Sequence, residues 1–117
     1  GQPYTDTLML TTVGARTGAP RIACLPYFRV GADLVVRGSN GGGPTDPHWV
    51  HNVRANPAAR VRIHRREHPV EAHVAAGEER ARLYAELRAR SASTEGYQRM
   101  CAPRELPLVV LRGWPAA

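Results

Sequence analysis

The chain has 117 residues, 43% hydrophobic and 22% charged, the size and balance of one globular domain that buries a core without disulfide or metal staples. No apolar run approaches the roughly 20 residues of a membrane-crossing helix, and no charged segment leads into an apolar one as in a signal peptide. The formal charge is +6 and all 16 basic residues are arginine. That charge favours an anionic partner: nucleic acid, a membrane surface, or a small molecule carrying phosphate or carboxylate.

In chain order, residues 1–6 are expected to be disordered or the stub of a trimmed N-terminus, with 1–117 forming one domain. Thr7–Val13 is β-branched and apolar and predicts a first strand. Gly14–Arg21 is a glycine-bracketed turn, and Ile22–Val30 a second strand in which Pro26 is expected to mark an edge or a bulge. Gly31-Ala32-Asp33 closes a hairpin into a third strand at Leu34–Gly38. A run of glycines, Gly41-Gly42-Gly43, then leads to Asp46-Pro47, an expected N-cap and first helical residue, with Asn56-Pro57 as the stop. Strand, glycine turn and helix start together make a candidate cradle for an anion or cofactor.

Beyond the helix, Arg60–His64 alternates, with Val61 and Ile63 on one face and Arg60, Arg62 and His64 on the other. Arg65-Arg66-Glu67 turns the chain into a strand at Pro69–Val74. Gly77-Glu78-Glu79 opens a second helix with acidic residues near its positive end. Ala81, Leu83, Tyr84 and Leu87 form its apolar side, and Arg80, Arg82, Glu86 and Arg88 its wet side. Ser91–Glu95 breaks the pattern, Tyr97–Cys101 is a short helical turn, and Pro107–Leu111 a last, buried strand. About six strands joined mostly by short turns, with two or three helices, favour an antiparallel sheet or barrel over a doubly wound fold. Leu8, Leu10, Val35, Val61, Ile63, Val109 and Leu111 are the expected interior.

Few residues carry a recognisable chemistry of their own. The helix pair His48 and His51 lacks a third ligand at metal spacing, and Cys24 and Cys101 match no such spacing, so no metal is expected. Two unrelated thiols fit a reduced, cytoplasmic chain. Ser39 lies among glycines but not in a nucleophile elbow. The arginine face at Arg60, Arg62, Arg65 and Arg66 lacks interleaved aromatics, which makes it a solvated face rather than a nucleic-acid surface. The early turn is more informative: Arg16 and Arg21 flank Thr17-Gly18, and two guanidiniums beside a hydroxyl suit a phosphate or carboxylate. If that turn shares a rim with the Gly38–Asn52 segment, the two form one site, an anion clamp with Trp49 as an aromatic wall.

These residues also carry a family resemblance. Leu10-Thr11-Thr12-Val13-Gly14-Ala15-Arg16-Thr17-Gly18-Ala19-Pro20-Arg21 resembles a signature of the deazaflavin (coenzyme F-420)-dependent nitroreductase family. Gly38-Ser39-Asn40-Gly41-Gly42, followed by Pro47, Trp49, Asn52-Val53 and Ala55-Asn56-Pro57, resembles its second signature. The likeness runs from Leu8 to Leu111. It implies a split β-barrel that binds the deazaflavin coenzyme and transfers a hydride to a small organic acceptor. On that likeness Arg16, Thr17 and Arg21 hold the coenzyme's phosphate and acidic tail. Ser39, Asn40, His48, Trp49 and Asn52 line its ring, and Gly38 and Cys24 belong to the same binding set. Positive charge is then accounted for without nucleic acid.

The chain departs from the family pattern at Ala15, where a basic residue is common, and at Val50, where an aromatic is common. Ser91 and Thr94 stand where nitroreductase members place tyrosines in the substrate pocket, leaving Tyr97 as the one phenol there and the expected proton donor. A quinone or an activated C=C acceptor is therefore expected at least as much as a nitro compound. A membrane contact, if there is one, is expected to be peripheral and to run through an N-terminal segment preceding Gly1; no oligomeric state is implied. The alternatives are a non-catalytic barrel carrying a cofactor or lipid, and an FMN-dependent reductase, since split barrels also host FMN.

Overall fold

Six antiparallel strands close into a barrel in the computed structural model, which describes residues 6–115. The strands are β1 (Thr7–Val13), β2 (Pro20–Val30), β3 (Asp33–Arg37), β4 (Ala58–Ile63), β5 (Arg66–Val74) and β6 (Leu108–Arg112). Around the barrel they run β1-β2-β3-β6-β5-β4, and β4 closes it by pairing with β1. Three α-helices, α1 (His48–Ala55), α2 (Gly77–Arg90) and α3 (Ala92–Cys101), and a 3-10 turn at Asn40–Gly42 accompany the barrel. The expectations for the N-terminus, other than for Asp6, lie outside the described residues.

The burial pattern follows from which faces the helices cover. β1 and β4 alternate, with Leu8, Leu10, Ala59 and Val61 inside and Arg60 and Arg62 exposed. β3 and β6 are buried on both faces, which is why they read as unbroken apolar runs. Leu34, Val36, Val109 and Leu111 fill the barrel, whereas Val35, Leu108 and Val110 form a second core with Leu83 and Leu87 of α2. Val35 therefore lies outside the barrel, in a correction to the expected interior, and Ile63 is only half-buried at its edge.

Several local expectations are also corrected. β2 runs unbroken through Pro26: residues up to Pro26 pair with β1 and those from Tyr27 pair with β3. The residue without a backbone donor thus sits where the strand changes partner. Asp46 does not cap α1, whose cap residue is Pro47 with no side-chain bond. Its carboxylate instead accepts from Arg104 at 2.7 Å and Arg54 at 2.9 Å. On α2, Ala81 is exposed and Arg80 turns inward to donate to the Gln98 side chain and the Leu106 carbonyl. Of the expected Ser91–Glu95 break only Ser91 interrupts the helices, because α3 begins at Ala92.

Candidate functional site

α1 is held against the barrel by its apolar edge. Trp49, Val50 and Val53 belong to the barrel core, and this leaves His48, His51 and Asn52 toward the β1–β2 turn. Asn52, 5% exposed, ties the two together. Its Nδ2 donates to Thr12 Oγ1 at 3.1 Å, and its Oδ1 accepts from the Ala15 N–H at 2.9 Å. The turn is itself closed by bonds from Gly14 N–H to the Ala19 carbonyl and from Gly18 N–H to the Gly14 carbonyl. A side chain on Gly14 would stand 2.9 Å from that Ala19 oxygen, and Gly18 has φ +73°. Both glycines are thus required by the turn's shape.

Between the turn and the helix lies a cleft of about 640 Å³ lined by Gly14, Ala15, Arg16, Thr17, Arg21, His48, His51 and Asn52. Arg16 and Arg21 are exposed, and among the described residues neither has a carboxylate at ion-pair distance. Thr17 Oγ1 accepts from the Ala19 N–H at 3.1 Å, which leaves its own proton to donate. Two guanidiniums without a carboxylate among the described residues, a hydroxyl and two imidazoles surround one opening, a donor set that can offer an anion planar, charge-assisted bonds. Cleft and arginines thus assemble five of the expected residues: Arg16, Thr17, Arg21, His48 and Asn52.

The remaining expected residues lie elsewhere. Trp49 is 8% exposed within the barrel core, so it does not form the cleft's wall. Cys24 faces a second cleft of about 360 Å³ near the start of β1, with Met9, Tyr27, Arg62 and His64. Gly38 is buried against Val50 and Pro107, where an added Cβ would come within 2.8 Å of Val50 Cγ2. Its N–H donates to the Pro107 carbonyl and its own carbonyl accepts from Arg104, so its backbone is engaged internally. Ser39 and Asn40 lie in the loop after β3, beside α3, where Gly42 packs on Met100.

The expected substrate residues meet at the α2–α3 junction. Thr94 is fully buried, and its hydroxyl donates to the Leu87 carbonyl and accepts from Arg37 at 3.0 Å. Ser91 bonds Ser93, which also accepts from Arg37. Tyr97 is half-buried against the second core, with the Arg37 guanidinium 5.4 Å from its ring centre. Burial lowers the pKa of Arg37, and Tyr97 partly offsets this. Thr94 thus holds structure together instead of lining an open pocket.

Two residues that carry this architecture, Arg37 and Arg104, bear no signature in the sequence. Arg104 contacts partners 58 to 66 residues away, beyond any local spacing, and one arginine among 16 carries no mark of its own. Among the described residues no cluster of three or more His, Cys, Asp or Glu side chains is placed to hold a metal. No described helix is long and apolar enough to cross a membrane.

With this geometry in place, comparison with known proteins gives a consistent result. The model of the F420H(2)-dependent quinone reductase family matches residues 2–113. An F420H(2)-dependent quinone reductase of Mycobacterium tuberculosis is 32% identical over 110 residues, spanning 90% of this chain and 72% of that protein. A solved F420-H2 dependent reductase superimposes with a TM-score of 0.79 at 27% identity, covering 92% of this chain and 94% of the other. Another structure, described as a domain-swapped dimer, gives 0.80 at 27% identity over 92% and 80%.

Proposed function

The chain belongs to the F420H(2)-dependent quinone reductase family, and from that membership we propose that the cleft between the β1–β2 turn and α1 receives the anionic tail of the deazaflavin coenzyme. The chain is a deazaflavin-dependent oxidoreductase on a split barrel. Its acceptor is a small molecule, and a quinone is the class proposed here. The observation that carries the reading is the convergence of Arg16, Thr17 and Arg21 with the His48–Asn52 edge on one opening. The residues present fit the group, because two arginines without carboxylate partners among the described residues are matched by a phosphate and carboxylate tail.

When bound, the reduced coenzyme supplies a hydride. The protein's own part is then binding, orientation and proton supply. Arg16 and Arg21 neutralise the tail, and Thr17 donates to it. Asn52 keeps the turn at a fixed distance from α1. The Ser39–Asn40 segment is assigned to the ring's polar edge. Reduction of a quinone needs one proton with each hydride, and Tyr97 is the proposed donor, with His48 or His51 as the alternative on the cleft side. Ser91 and Thr94 act on the acceptor only through the packing of the α2–α3 junction. The proposed location is the cytoplasm.

The test is an anaerobic titration with the reduced deazaflavin coenzyme followed by turnover with a naphthoquinone, repeated with FMN and with a nitroaromatic acceptor. Tight binding with quinone reduction is the expected result. Binding without turnover would make the protein a cofactor carrier, and preference for FMN would reassign the cofactor.

A further inference from the structure

We infer that Arg104 is a positioning residue for the reaction, the latch that shapes the Gly38–Asp46 loop and thereby aims Ser39 and Asn40. The inference rests on the reading that this segment meets the ring of the deazaflavin coenzyme. The loop has little to hold it on its own. Asn40, Gly41 and Gly42 have φ of 47°, 64° and 82°, three successive residues in the left-handed region. The only regular structure is a single 3-10 turn at Asn40–Gly42. Internal bonds join Gly42 N–H to the Ser39 carbonyl, Gly43 N–H to the Asn40 carbonyl, and Asn40 Nδ2 to the Thr45 carbonyl. None of these ties the loop to the rest of the protein.

Arg104 does. Its side chain is 11% exposed and every nitrogen of the guanidinium donates. Nε donates to the Gly43 carbonyl at 3.1 Å, and Nη2 to the Gly43 and Ser39 carbonyls at 2.7 and 3.0 Å. Nη1 donates to the Gly38 carbonyl at 3.1 Å and to Asp46 Oδ1 at 2.7 Å. Asp46 is in turn bonded by Arg54 of α1, so loop, helix and the segment before β6 form one unit.

The consequence is directional. In a trans peptide the C=O and N–H of one unit point opposite ways. Drawing the Gly38 and Ser39 carbonyls onto Arg104 turns the N–H groups of Ser39 and Asn40 away from it, side by side. Ser39 is right-handed helical, with φ −70° and ψ −31°, and Asn40 left-handed. Successive N–H groups in that combination converge on a common point. A guanidinium behind the loop therefore determines where donors in front of it aim.

A role confined to stability predicts something different, and Arg80 supplies the control. It too is buried and donates across elements, to Gln98 and Leu106, but it makes no contact with the loop. The experiment compares Arg104→Gln, Arg104→Lys, Arg80→Gln and Arg16→Ala in the full chain. Readouts are affinity for the deazaflavin coenzyme, affinity for the deazaflavin riboside lacking the phosphate tail, thermal midpoint, and amide hydrogen exchange over residues 38–46.

Arg104→Gln is expected to weaken coenzyme and riboside by the same factor, tenfold or more, and to accelerate exchange in the loop at least tenfold. Arg104→Lys should recover part of both, since an ammonium cannot reach all the carbonyls at once. Arg80→Gln should lower the midpoint while leaving both affinities unchanged, and Arg16→Ala should weaken the coenzyme alone. Unchanged riboside affinity in Arg104→Gln, or an equal loss in Arg80→Gln, overturns the inference. Should Arg104→Gln fail to fold, Asp46→Asn loosens the same latch and carries the same expectations. If the native chain binds neither molecule, the underlying cofactor reading is wrong and the inference falls with it.

Discussion

Arg16 and Arg21 act as charges held in readiness, exposed, without carboxylate partners among the described residues, and carried on a turn that Asn52 fixes to α1. Replacing either with alanine should weaken coenzyme binding by about 1.5–3 kcal/mol, the range of a charge-assisted bond. The loss should shrink at high salt, where the contact is screened; equilibrium titration at two ionic strengths checks both. Asn52→Ala removes the helix's bonds to Thr12 of β1 and to the turn, and leaves the Ala15 N–H without its partner. It should cost about 1–3 kcal/mol in urea denaturation and weaken coenzyme binding without touching a charge. Tyr97→Phe tests the proton donor: a fall in turnover of roughly ten- to a thousandfold with unchanged coenzyme affinity is expected of a group acting in the transition state. Full activity would leave Tyr97 as packing beneath Arg37 and move the proton to His48 or His51.

Among the elements, β1 serves two regions, since its inner face builds the core and its end leads into the turn that lines the cleft. Leu10 is fully buried in the barrel, and Leu10→Ala should cost on the order of 2–4 kcal/mol by chemical denaturation. A loss below about half a kcal/mol would contradict the core assignment. The loop before α1 is pH-sensitive through Asp46. Burial alone would raise its pKa, but hydrogen bonds and charge from Arg54 and Arg104 outweigh that and hold it below the ordinary 3.8. A carboxyl lowered by folding stabilises above its unfolded pKa and loses that contribution as pH falls through the folded one. The native protein should therefore weaken below about pH 4 more steeply than Asp46→Asn, as measured by thermal midpoints across that range. Strands and turns were legible from alternation and glycine because those signals are local. The start of α1 differs from the expectation because Asp46 has the chemistry of a cap, yet Arg54 of the helix and the distant Arg104 claim its carboxylate. Arg80 reads as wet-side for a similar reason: its guanidinium stacks over Tyr84, 4.9 Å from the ring centre, and donates to Gln98 and Leu106, which a charge-based periodicity does not register.

At the scale of the whole molecule, the barrel brings the ends of segments far apart in sequence to one opening. β1 closes the barrel against β4, and α1, which leads into β4, lies against the turn that follows β1. The two signature segments were legible as motifs, but their meeting depends on barrel closure, which no local pattern encodes. The same holds for Trp49, whose place beside the glycine loop suggests a ring wall while its bulk fills the barrel. The most direct test of the account is the structure of the complex with the deazaflavin coenzyme. It should place the phosphate and carboxylate tail within hydrogen-bond distance of Arg16, Thr17 and Arg21, in the cleft beside His48 and His51. A tail lying instead along the Arg60 and Arg62 face, with the cleft empty, would contradict it.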